Sequence, residues 1–271
     1  MSTAKRERQK ANRAARVAQE RAAARTRRNR LLLMWVTVAA VAAGVVWALV
    51  AFTAGEVEAD ATATTESPDT NTSTAVAAGY AGFRSQPTAC GGATPPERTE
   101  MTFTEPAEQG LSGTVTATLT TSCGPVQIEI DADAHPDTAN SFVFLALEGY
   151  FDGTACHRIV PGFMTQCGDP TATGLGDPGY AVADEFPEEG FVYERGVMAM
   201  ANAGEGTTGS QFFIVTGDAS HLPAGFSLLG TVVDSDDTLD ALDAVPVGPN
   251  ATGTEVSSPQ ETVYIETVDV G

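Results

Sequence analysis

Beyond residue 30 the chain has no lysine and only four arginines, Arg84, Arg98, Arg158 and Arg195. The 241 residues from Leu31 onward also carry 33 Asp and Glu, a net charge of −29. A surface of that sign repels polyanions, which excludes nucleic acid as a partner of this part of the protein. Histidine and cysteine are scarce as well, three and four residues respectively. No CxxC occurs and the histidines do not cluster with the cysteines, which argues against a structural zinc site. Ser210 lacks the G-x-S-x-G strand–turn–helix context of a hydrolase nucleophile, and neither His157 nor His221 has a marked nucleophile beside it. The stretch GEGTTG (Gly204 to Gly209) matches G-x-G-x-x-G, but a strand-like SQFFIV follows it instead of a helix. Glu205 would also repel phosphate, so dinucleotide binding is rejected. No internal repeat is present.

Basic charge is concentrated at the N-terminus, where residues 1–30 hold 11 of the 15 Lys and Arg. An uncharged stretch, LLLMWVTVAAVAAGVVWALVAF, follows directly. Its ~22 residues span about 33 Å as a helix, enough for the hydrocarbon core of a bilayer. Trp35 and Trp47 lie near its two ends, where amphipathic rings favour the interface. A cleaved signal peptide has a shorter apolar core and a small-residue cleavage site, neither of which fits here. The sequence therefore predicts a basic cytoplasmic arm (1–30) and a single retained transmembrane helix (31–53) in the cell membrane. By the positive-inside rule the acidic remainder is extracytoplasmic. Residues 54–111, rich in Thr, Ala, Ser, Pro and acids, read as a disordered low-complexity tether.

From residue 112 to 271 the pattern is that of a compact domain. Val115, Ala117 and Leu119 alternate with threonines, SCGP turns, and Val126, Ile128 and Ile130 alternate with polar residues, which predicts a β-hairpin. HPDTANSFVFLALEG predicts a helix, with Pro136 in its first turn and Gly149 at its end. Short strands are expected at ACHRIV, FMTQCG, GVMAMA, SQFFIV, FSLLGTVV and ETVYIETVDV, with a second helix at Thr238–Ala244. Many short strands with two helices indicate an all-β barrel or sandwich. All four cysteines lie on the expected outer side, where disulfides persist, and three pairings are open to them.

Two blocks, HRIVPGFMTQCGD (His157 to Asp169) and MANAGEGTTGSQFFI (Met200 to Ile214), resemble the signature blocks of cyclophilins, the peptidyl-prolyl cis-trans isomerases. The resemblance covers residues 112–271. It implies a closed eight-stranded antiparallel β-barrel capped by two helices, preceded here by the transmembrane helix and tether. It implies rotation about X–Pro bonds as the activity, with no cofactor or metal, and proline-containing polypeptides as substrates. Arg158 matches the family's catalytic arginine and Gln166 the glutamine that orients it. Phe163, Met164, Phe213 and Leu222 match the lining of the proline pocket. Ala201, Asn202 and Gln211 match positions that hold the peptide backbone, and Gly174 a glycine of the neighbouring loop.

The match has departures. His221 stands where the family commonly has tryptophan, which argues against tight cyclosporin binding. Phe226 stands where a polar ring is usual at the other pocket wall, and Cys167 replaces a glycine. In the implied fold the segments bearing Cys156 and Cys167 are adjacent antiparallel strands, so the expected disulfides are Cys156–Cys167 and Cys90–Cys123. The resulting expectation is a membrane-tethered isomerase that assists folding of exported proteins. The alternative is a low-turnover proline-peptide binding module or scaffold, which His221 and Phe226 would permit.

Overall fold

A computed structural model describes residues 79–271. The arm 1–30, the span expected over 31–53 and residues 54–78 of the expected tether lie outside the described residues. Among the described residues, no helix is long and apolar enough to cross a membrane.

The predicted hairpin is β1 (Thr114–Thr121) and β2 (Gly124–Asp131). Ala117 faces Ile128 and Leu119 faces Val126 across the ladder, and all four are buried while Gln127 and Glu129 point to solvent. The helix expected next is α2 (Pro136–Leu147), following a five-residue α1 (Tyr80–Arg84) near the start of the described chain. Pro136 opens α2 in the position where its missing N–H costs nothing. No side chain at its N-cap serves the first amides; instead the Glu185 carboxylate accepts from the backbone N–H groups of Asp137 and Thr138. The negative charge there also suits the helix dipole. Five short strands follow: β3 (Arg158–Val160), β4 (Met164–Cys167), β5 (Val197–Met200), β6 (Phe212–Val215) and β7 (Leu228–Val233). Helix α3 (Asp236–Asp243) comes next, then a separate hairpin of β8 (Val247–Pro249) and β9 (Val256–Pro259), and finally β10 (Ile265–Val270). The sequence reading had no strands at β8 and β9.

Eight strands form one antiparallel sheet in the order β10-β1-β2-β7-β5-β6-β4-β3. Helix α2 lies against β2, β7 and β10, and α3 against β2, β3 and β4. The expected closed barrel is corrected to an open one, because no ladder joins β3 to β10. The stretch before β3 meets the start of β10 without forming a strand: Ala155 bridges Asp169 and Tyr264, the Gly153 N–H donates to the Ile265 carbonyl, the Ile265 N–H to the Thr154 carbonyl and the Cys156 N–H to the Val263 carbonyl. Gly153 there has φ 73° and the Thr154 hydroxyl turns back onto the Phe151 carbonyl, so the chain runs as a turn where a full strand would be needed to close the barrel.

A second correction concerns the tether. Residues 79–111 of the stretch expected as disordered lie folded against the sheet. Ala89 donates to the Thr262 carbonyl, Thr262 donates back to Pro87, and the Thr262 hydroxyl donates to Phe83. Arg98 donates to the Tyr150 carbonyl, with its guanidinium over the rings of Tyr80 and Tyr150. The Phe103 ring meets Phe144 edge-on at 5.0 Å between centroids. Disulfide Cys90–Cys123 ties this segment to the β1–β2 turn, and Cys156–Cys167 joins the approach to β3 with the end of β4. Both are the expected pairings.

Candidate active site

Register places the first functional side chains. Arg158 on β3 faces Gln166 on β4, Gln166 faces Phe213 on β6, and Phe213 faces Ala199 on β5. Residues directly opposite in an antiparallel sheet share a face, so these four form one row across four strands. Met164, two residues before Gln166, shares that face with Val160 and Val215. Cys167 is one residue out of phase and falls on the other face, opposite Phe212, inside the main core with Met200. The two-residue period thus separates the core from a second apolar cluster.

That second cluster contains Met164, Tyr193, Ala199, Phe213 and Val215, with Phe163, Ala201, Leu222 and Phe226 partly buried against it. Phe213 meets Phe226 edge-on at 5.4 Å, and the half-buried Phe163 lies 4.7 Å from the exposed His221 ring. All of the expected proline-pocket residues are therefore brought together. Tyr193, which the sequence reading passed over, holds one wall: its hydroxyl donates to the Phe226 carbonyl at 2.8 Å and accepts from the Phe226 N–H at 3.0 Å. Nothing in its local pattern, VYERG, marks it as more than a strand-edge aromatic.

The polar residues run beside this wall as a chain of hydrogen bonds. Arg158 Nη1 donates to Gln166 Oε1 at 3.3 Å, Gln166 Nε2 donates to Gln211 Oε1 at 2.9 Å, and Gln211 Nε2 donates to the Gly176 carbonyl at 2.9 Å. Gln166, Gly174, Ala201, Asn202 and Gln211 line a cavity of about 290 Å³. Asn202 is fixed by donating to the Gly225 carbonyl and accepting from the Gly204 N–H. A larger cavity of about 550 Å³ lies beside Arg158, bounded by His157, Gly174, Glu255 and, from the N-terminal segment, Phe83.

Three further titratable groups border the site. Asp169, fully buried, gathers the following loop by accepting from the N–H groups of Thr171, Thr173 and Gly174 and from the Thr171 hydroxyl. Burial alone would raise its carboxyl, but the Thr171 hydrogen bonds and the neighbouring His157 and Gly174 hold it below the usual range. Burial lowers the His157 imidazole despite the nearby Asp169 charge, which favours the neutral form. The third group is Glu255, also absent from the sequence reading. It accepts from Arg158 Nε and Nη2, each at 2.7 Å, and this hydrogen-bonded pair holds its carboxyl down at about 2. Among the described residues no group of three or more His, Cys, Asp or Glu side chains could hold a metal ion.

Comparisons with known proteins agree with this architecture. A family model described as cyclophilin type peptidyl-prolyl cis-trans isomerase/CLD matches residues 116–270. The chain is 42% identical over 138 residues to peptidyl-prolyl cis-trans isomerase-like 2 of Cryptococcus neoformans, a match covering 49% of this chain and 24% of that protein. It is 36% identical over 187 residues to probable peptidyl-prolyl cis-trans isomerase B of Mycobacterium leprae, covering 64% of this chain and 60% of the relative. The matched region thus spans less than two thirds of either relative. Among solved structures it resembles a cyclophilin type peptidyl-prolyl cis-trans isomerase from Cryptosporidium parvum crystallised in the presence of the dipeptide Ala-Pro. That likeness has a TM-score of 0.52 at 28% identity and covers 58% of this chain and 98% of that one.

Proposed function

The chain belongs to the cyclophilin-type peptidyl-prolyl cis-trans isomerase family, and on that footing we propose that it catalyses rotation about X–Pro bonds. The observation that carries the reading is the cross-strand row Arg158–Gln166–Phe213, which sets a guanidinium beside an apolar pocket wall.

Amide resonance raises a barrier of roughly 18–20 kcal/mol to this rotation. Lowering it needs neither a nucleophile nor a metal, only a site that binds the twisted amide better than either planar form. Phe163, Met164, Phe213, Leu222 and Phe226 take the proline ring. As the amide twists, the prolyl nitrogen regains its lone pair, and an N–H of Arg158 donates to it and so opposes resonance. Arg suits this because it stays charged at any physiological pH and is weakly hydrated. Gln166, held at one end by Arg158 and at the other by Gln211, keeps the donor facing the pocket. Ala201, Asn202 and Gln211 hold the residue before proline, and Gly174 leaves room beside them. The Ala-Pro dipeptide present with the Cryptosporidium protein supports an X–Pro unit as the ligand.

The wider setting is part of the proposal. The basic arm, the apolar span 31–53 and the acidic remainder support a single-pass membrane protein with its isomerase domain extracytoplasmic, acting on exported chains whose folding waits on proline. His221 in place of tryptophan supports weak cyclosporin inhibition. The test is proline-limited refolding of a model protein by the purified chain. Affinity for a proline peptide with no acceleration of refolding would favour the binding-module alternative instead.

A further inference from the structure

Of the four arginines among the described residues, three form ion pairs, and these differ in kind. Arg84 pairs with Glu97, whose side chain is 87% exposed, and Arg195 with Asp236 and Asp240, which are 91% and 75% exposed. Arg158 and Glu255 are sheltered to the same degree, 35% and 34% exposed, and their contact is a two-point fork on Nε and Nη2. A fork on both oxygens of one sheltered carboxylate fixes the plane and direction of a guanidinium; the carboxylates that meet Arg84 and Arg195 stand mostly in solvent, and those arginines also donate to the Pro95 and Thr216 carbonyls.

We propose that Glu255 is a positioning residue for Arg158: it grips the Nε/Nη2 edge so that Nη1 faces the Gln166–Phe213 row. The inference rests on the isomerase reading above. Without Glu255, Arg158 would keep a 3.3 Å hydrogen bond to a neutral amide and a 3.9 Å approach to Met164 Sδ, too little to hold a long, part-exposed side chain. The fork does not exhaust the arginine. Of its five N–H donors, two go to Glu255 and one to Gln166; the second on Nη1 meets only the weak sulfur acceptor of Met164, and the second on Nη2 has no acceptor among the described residues.

Glu255 is itself braced. It sits in the β8–β9 loop, where the Asn250 N–H donates to the Glu255 carbonyl at 2.8 Å. Asn250 Oδ1 accepts from the N–H groups of Thr254 and Glu255 and from the Thr252 hydroxyl. A loop closed on itself in this way presents the carboxylate at a fixed place. The fork also holds the Glu255 carboxyl well below the usual carboxylate range, which favours the ionised form that grips the arginine.

The experiment uses the full chain in mild detergent and an Ala-Pro-containing peptide, with NMR exchange measurements giving the catalysed rate and the affinity separately. E255A should slow catalysis about tenfold or more, within the hundredfold that ~1 Å of misplacement can cost, while affinity changes less than about threefold. E255Q, which keeps the volume and one acceptor, should fall between. In an R158A background E255A should cause no further loss, since its whole effect passes through the arginine. An E255A rate within about twofold of wild type, a loss that persists in R158A, or affinity falling in step with rate would each overturn the positioning role alone. An inactive wild type would overturn the isomerase reading, and the positioning role with it.

Discussion

Removing the Cys90–Cys123 disulfide is the most quantitative test of the folded N-terminal segment. The bond joins the turn at Ala89–Gly91 to the β1–β2 turn across 33 residues of sequence. Cys90 is exposed and Cys123 half-buried, so replacing both with alanine deletes little core packing and mainly frees the loop. The chain-entropy relation for a loop of that length gives about 3.7 kcal/mol at 25 °C. Against a typical total of about 5–15 kcal/mol, that is a large share of the stability. With a urea slope of about 2 kcal/mol per molar, the unfolding midpoint should drop by roughly 1.8 M. Far-UV circular dichroism is the probe of choice, because both tryptophans, Trp35 and Trp47, lie outside the described residues. Activity should persist in the double variant below its new midpoint, since neither cysteine touches the site. A midpoint shift under about 0.5 M would mean that the segment 79–111 is not held against the domain.

Other outcomes follow from the same structure. Phe213→Ala, which empties a nearly buried position between Tyr193 and Phe226, should cost about 3–5 kcal/mol of stability and weaken peptide binding further than it slows catalysis; preserved affinity in a folded variant would remove Phe213 from the pocket. Acid should destabilise the domain in two stages. His157 is lowered from 6.5, so the unfolded chain takes up that proton first and stability starts to fall below about pH 6.5. Glu255 is lowered from 4.5 to about 2, so its contribution is full above pH 4.5 and lost as pH falls from there toward 2. Urea midpoints measured against pH should show a smaller second stage in E255Q, the remainder coming from Asp169, whose carboxyl is also lowered, and an unchanged profile would contradict the assignment. Replacing both Cys156 and Cys167 with alanine should reduce catalysis as well as stability, because that bond braces the strands bearing Arg158 and Gln166; assays of rate and midpoint together check this.

How much of this was legible in the sequence depended on the range of the interaction. The β1–β2 hairpin announced itself through strict alternation about SCGP, and α2 through Pro136 and its apolar face. The two signature-like blocks put Arg158, Gln166, Phe163, Met164 and Phe213 on strands whose register then assembled the row. Residues 79–111 were misjudged because their Thr, Ser and Pro content resembles a tether. What orders them acts at long range: the Thr262 backbone, the Tyr150 carbonyl and Cys123. Glu255 was invisible for the same reason. It lies 97 residues from Arg158 in a Gly- and Thr-rich loop, with no motif to distinguish it from the chain's other acids. Tyr193 likewise shows its role only once Phe226 is brought against it. The closed barrel failed on a local feature, the turn at Gly153 and Thr154, which no periodicity encodes.

In the proposed mechanism Arg158 drives X–Pro rotation. Its most direct test is the rate of proline-limited refolding of a model protein with the wild-type chain and with Arg158→Ala, both confirmed as folded. Wild type should accelerate refolding clearly, and the variant should lose about a hundredfold in kcat/KM, the scale on which removing one preorganised donor acts. Equal acceleration by the two proteins would contradict that mechanism.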